Sequence, residues 1–231
     1  HFAASVFNRP AVFSKSLFGG VARFAGVVTK QSAMFSNVRF ASAADFSGAS
    51  FTQYEDFGGA RFDGDATFSR ASFIALPRTR YEMDFPQGAN FSNATFAQDA
   101  DFSKATFTAH VGFYKATFAR EVSFNGASFE GAYFADATFG HGADFRQTSF
   151  MYFKPSFEAL DRRLQRARFS AQADPQDYLF KAHPESPHGF SCGTAELLNR
   201  TFILPVGAVL YDPDSWDEEK QEYTRISEPA Q

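Results

Sequence analysis

The chain has 231 residues, a net charge of −4, one Cys (Cys192), one Trp and 32 Phe. Such a length suits one or two domains with a sizeable core, and a lone Cys excludes an internal disulfide framework. No run approaches the roughly 20 apolar residues of a membrane-spanning helix; residues 202–210 are far too short.

The N-terminal stretch, residues 1–44, carries no Asp or Glu against five Lys/Arg: Arg9, Lys15, Arg23, Lys30 and Arg39. The chain starts at His1 without Met, which marks it as processed or incomplete. A Ser-rich, acid-free, Arg-bearing start is also the composition of organelle targeting peptides. Against that stands a spacing: Phe2, Phe7, Phe13, Phe18 and Phe24 are separated by five and six residues in alternation. The segment therefore reads as folded repeat.

The same beat runs on to Phe150, with Thr29 filling one early gap. The interval from Phe73 to Phe85, containing LPRTRY, is one residue too long and predicts a bulge or loop. Counting two substituted positions gives 28 beats between Phe2 and Phe150. Two residues before each Phe there is usually a small residue, as at Ala44, Ala66, Ala100 and Ala143. Self-similarity of this kind sets the fold before any local reading.

A helix fails to explain the beat, because Phe residues five apart would sit about 140° from each other at 100° per residue. Gly, Ser, Thr and Asp are also poor helix interiors. In extended chain, residues two apart share a face, so each Ala and its Phe point the same way. Every pair stays inward only if the chain turns a corner between pairs, and the intervening Gly, Ser, Asn and Asp favour such corners. Short faces joined by regular corners wind into a solenoid that buries each coil against the next.

The units ADFSG, ASFTQ, ATFSR, ADFSK, ATFTA, ASFEG and ADFRQ resemble those of the pentapeptide-repeat family. The resemblance spans about residues 2–150 and implies an all-β solenoid: a right-handed quadrilateral β-helix with four repeats per coil and the central residue inside. The departure is an extra residue in alternate units; only Phe124, Phe129, Phe134 and Phe139 keep a strict five. A typical coil then has 22 residues, as the sum of two fives and two sixes. The beats make about seven coils, a rod of roughly 35 Å. The expected structural core is Phe46, Phe51, Phe57, Phe62, Phe68, Phe73, Phe91, Phe96, Phe102, Phe107, Phe113, Phe118, Phe124, Phe129, Phe134, Phe139, Phe145 and Phe150.

The expected organisation is a β-helix over 1–153, a capping α-helix over 154–170 and a C-terminal extension over 171–231. Pro155 opens the predicted helix, and Phe157, Leu160, Leu164 and Ala167 recur at helical spacing on one face. An exposed last coil needs a cap, so Phe157, Leu160 and Leu164 are expected to cover it or to contact a partner, including a second copy. The extension reads as an irregular stretch, one or two short strands and an acidic tail.

Chemistry is sparse. His183, His188 and Cys192 are close in sequence, but His-x4-His-x3-Cys fits no strong zinc pattern and no clear fourth ligand follows. Pairing Cys192 with His188 as a nucleophile has only sequence proximity behind it, and His1 as a chelating N-terminus is followed directly by repeat. His110 and His141 fall between beats, outward on the rod. No phosphate loop, dinucleotide fingerprint or hydrolase elbow is present, so no enzyme activity, metal or cofactor is expected. The expected function is a non-catalytic rigid scaffold for protein–protein interaction, an accessory subunit of a larger assembly, with a homodimer through the C-terminal end as one arrangement. The alternative, taken from relatives that mimic DNA and bind gyrase, needs a strongly acidic rod. Residues 1–150 instead balance 13 acids against 13 Lys/Arg, so nucleic-acid mimicry is disfavoured.

Overall fold

The computed structural model describes residues 1–75, 88–158 and 165–231. They form a four-faced β-solenoid of parallel, in-register strands that are mostly two residues long. The first face starts at Val6–Phe7 and is seven strands deep; the third starts at Leu17–Phe18 with eight, and the fourth at Ala22–Arg23 with seven. The second face opens with Ala11–Val12, Ala33–Met34 and Glu55–Asp56, then continues through parallel bridges at Asn90, Gly112, Tyr133 and Ser156. Six full turns separate Val6–Phe7 from Ser149–Phe150 on the first face.

Register gives the coil length directly. Val6 pairs with Val28 and Leu17 with Arg39, so the chain returns to the same face after two fives and two sixes. The alternation of five and six reflects two kinds of corner. A typical five-residue corner is a tight turn in which the Phe carbonyl accepts from the amide three residues later, as Phe46 O does from Ala49 N–H. Its third residue takes positive φ, the signature of a type II turn. Gly48 holds that place at φ 61°, but so do Lys15, Arg70, Lys104 and Lys115. The six-residue corners need no left-handed residue. In the strict-five stretch, Ser128–Tyr133 runs as one strand around such a corner, and its partner Thr106–Gly112 absorbs the extra residue as a register shift between Phe107 and His110.

Inside, rings stack into columns. Phe46 lies 4.9 Å from Phe68, and Phe62 lies 4.8 Å from Phe96, both nearly parallel. Neighbouring columns meet edge to face, as Phe57 and Phe68 do at 5.3 Å. Strand spacing of about 4.8 Å dictates the stack. Each buried Phe contributes on the order of 1.5–3 kcal/mol, so this phenylalanine ladder dominates stability. Every expected core Phe from Phe46 to Phe150 is at most 2% exposed.

Three expectations require correction. First, Phe73 stacks directly on Phe107 and meets Phe91 edge to face at 5.9 Å. One rung here consumes the chain of about a coil and a half, so the segment between Phe73 and Phe91 carries an insertion rather than two further beats. The beat assigned to Phe85 and the LPRTRY loop lie outside the described residues. The count falls from 28 to 26, about six turns rather than seven.

Second, the described parts of the predicted capping helix, residues 154–158 and 165–170, are not helical. Ser156 and Glu158 lie in β-bridges, Ala167 N–H donates to Phe157 O at 2.7 Å, and Arg168–Ser170 is a strand. Glu158 and Arg166 bridge and pair by charge at 3.1 Å. Leu160 and Leu164 lie outside the described residues.

Third, the ring ladder does not stop at Phe150. Phe157 stacks on Phe134, Phe169 on Phe139 at 4.5 Å, and Phe180 on Phe145. The solenoid end is covered by a hairpin, Cys192–Leu197 with Arg200–Pro205, that buries Phe202 and Leu204. The strand Val209–Tyr211 adds a further rung beside Arg168–Ser170. Strands thus take the capping role that the sequence assigns to a helix.

Candidate interaction surfaces

The interior is filled with rings, so chemistry and recognition fall to the outward residues. The residue before each Phe points out. On the first face these are Ser50, Ser72, Thr106, Ser128 and Ser149, an uncharged row paired in register. On the fourth face the carboxylates close corners: Asp45 accepts from Ser47 N–H at 2.9 Å, and Asp101 from Ser103 N–H at 2.8 Å. On the third face Asp63 sits between Arg39 and Arg61. Hydrogen bonding from Arg39 holds its carboxyl below the usual range. Repeat acids are therefore engaged in turns and ion pairs.

One corner differs. Between the first and second faces, Met151, Tyr152 and Phe153 are exposed by 48, 68 and 50%. Phe153 lies 4.6 Å from His110, whose ring stacks on Tyr133 at 5.3 Å. Tyr133 is itself 42% exposed. His110 is packed by these rings rather than free in solvent; burial holds its pKa down, and its Nδ1 has no hydrogen-bond partner among the described residues. The corner is an apolar, aromatic ridge that follows the rod axis over three rungs. Exposed apolar surface of this kind marks interaction sites.

Sequence reasoning missed this ridge, because tyrosines and a histidine at corner positions break no rule of the repeat. It also missed Glu55, although the signal was present: Glu stands two residues before Phe57, where other units carry Ala. Glu55 is fully buried, between Ala33 on one rung and the strand entering Asn90 on the next. Gln53 N–H donates to Oε1 at 3.2 Å, while Oε2 has no partner among the described residues. Burial pushes its pKa up to about 8.

The loop residues are dispersed. His188 Nε2 meets the Tyr152 carbonyl at 3.0 Å, His183 receives Glu185 N–H on Nδ1, and Cys192 is exposed at the start of the hairpin. No group of three or more His, Cys, Asp or Glu among the described residues is arranged to hold a metal. No described helix is long and apolar enough to cross a membrane.

Comparison with known proteins agrees with the geometry. Residues 82–117 and 104–149 match the model for pentapeptide repeats, nine copies. The ladder on either side of that span continues the same columns. No curated protein matches the chain.

Proposed function

We propose that this pentapeptide-repeat solenoid is a non-catalytic rod that mediates protein–protein interaction as a structural subunit of a larger assembly. The observation that carries the reading is the exposed ridge of Met151, Tyr152, Phe153 and Tyr133 on a rod whose interior is filled with rings. A rigid scaffold loses little conformational entropy on binding, which favours association through a modest apolar patch. The engagement of repeat carboxylates in turns and ion pairs supports a structural role for them over acid–base work. Native electrophoresis of source material, with this chain located by mass spectrometry, tests the proposal. Co-migration with a large assembly is expected; migration at the mass of one or two chains overturns it.

A further inference from the structure

The far side of the rod, away from the aromatic ridge, carries a cleft of about 440 Å³. Its floor is the third face and the adjoining corner, where Thr117 and Thr138 occupy successive rungs in register. Its opposite wall is the C-terminal extension, which brings Tyr211, Pro213 and Tyr223 over that floor. The volume lies in the range of small-molecule sites.

The lining is polar yet nearly uncharged. The Gln172 amide is fixed by donating to Asp214 at 2.7 Å and to Asp212 at 3.3 Å. Asp212 is 2% exposed and tied to Arg225 at 2.6 Å, so its charge lies behind the wall. Arg168, the nearest guanidinium on the floor, is held by Asp136 at 2.6 Å. His141 turns towards Glu121 at 3.0 Å. Thr138 Oγ1 accepts from Arg168 Nε at 3.4 Å, and Thr117, Tyr211 and Tyr223 line the cleft beside it. Tyr211 and Tyr223 have ring centroids 4.4 Å apart, and Trp216 extends this aromatic wall at 4.9 Å from Tyr223.

This lining selects a ligand class. A phosphate or carboxylate needs an unpaired cation or a nest of backbone N–H groups, and no Lys or Arg lines the cleft. A wholly apolar ligand would strand the threonine, tyrosine and glutamine polar groups without partners. A ligand with hydroxyls at its edge and C–H groups on its faces meets both walls. We propose that the cleft binds a neutral carbohydrate of one or two sugar rings, its hydroxyls on Thr117, Thr138 and Gln172 and its apolar face on Tyr223. The two threonines stand on successive rungs, roughly 4.8 Å apart, a spacing on the scale of one pyranose ring. This binding is independent of the protein contact assigned to the aromatic ridge.

Trp216 is the chain's single tryptophan and packs against the lining residue Tyr223, which makes its emission a local reporter. Intact protein would be titrated with cellobiose, maltose and diacetylchitobiose, with glucose 6-phosphate as the charged control. Saturation-transfer NMR on the same samples would read binding that leaves the emission unchanged. A saturable signal with at least one neutral disaccharide is expected. Tyr223→Ala should weaken it by about tenfold or more, and Thr117→Val by a few-fold, with tenfold corresponding to about 1.4 kcal/mol. Thr117→Val keeps the shape of the floor, so it stays informative if Tyr223→Ala fails to fold. Three results overturn the proposal: no saturable signal by either method at about 10 mM, where even millimolar binding would register; binding that both variants leave unchanged; or preference for the phosphorylated sugar.

Discussion

Phe46 and Phe68 are separated by a full coil of chain, yet their rings lie face to face at 4.9 Å with an interplanar angle of 0°. The relation repeats up each column, so one ring supports the next and a gap in the stack is felt on both sides. Phe68→Ala should cost about 3–5 kcal/mol. Ser72→Ala, at an outward position of the same coil, should stay within about 0.5 kcal/mol. Urea denaturation midpoints for the two variants check the assignment of inside and outside, and a larger loss at Ser72 would reverse it.

Glu55 makes stability depend on pH in an unusual direction. Its folded pKa, pushed up to about 8 by burial, lies above the ordinary value of 4.5 that it has in the unfolded chain. The native state therefore holds a proton that the unfolded chain gives up, and stability falls as pH rises from about 4.5 to 8. Below that window Glu55 is neutral in both states, and above it the penalty is constant. Glu55→Ala restores the small residue of the column and should gain more stability at pH 8 than at pH 5. Thermal melts of both proteins at the two pH values provide the check; an equal gain at both would refute the buried-carboxyl account.

Thr29 occupies a place in a phenylalanine column, between Phe7 and Phe51, and its buried hydroxyl has no partner among the described residues. An unsatisfied buried polar group costs about 1–3 kcal/mol. Thr29→Val keeps the shape and removes the hydroxyl, so it should raise stability by about 1 kcal/mol. A fall in the denaturation midpoint would mean that the hydroxyl has a partner in solution.

The aromatic ridge predicts a separation of binding from folding. Replacing Met151, Tyr152 and Phe153 together by Ser removes exposed surface and leaves the ring columns intact. The melting temperature should therefore change little, while co-migration with the assembly is lost. Retained co-migration would move the partner surface elsewhere on the rod.

Sequence made the regular part of this fold legible because every tight corner costs the chain a fixed number of residues. Alternating five and six therefore announces the length of the coil before any coordinate is known. Legibility failed where corners lengthen. Phe157, Phe169 and Phe180 belong to the same columns but follow the preceding ring by 7, 12 and 11 residues, so the beat does not reveal them. The helical spacing of Phe157 and Ala167 has a different cause: both are inward positions, and a backbone hydrogen bond closes the chain between them. Of the surfaces, Glu55 was readable as a broken repeat. The ridge and the cleft were not, because each is assembled from residues on separate rungs.

Hydrogen exchange would test most directly whether the ring ladder makes one body from the early coils through the C-terminal cap. The amides of Phe68, donating to Asp101 O at 2.6 Å, and Phe145, donating to Leu179 O at 2.8 Å, sit in the same ladder as Ala171, which donates to Tyr211 O at 2.8 Å. A single cooperative unit protects all three to the same degree, that of global unfolding. Protection at Phe68 and Phe145 with fast exchange at Ala171 would contradict the account, leaving the C-terminal strands as a separate unit on a rod that ends at Phe150.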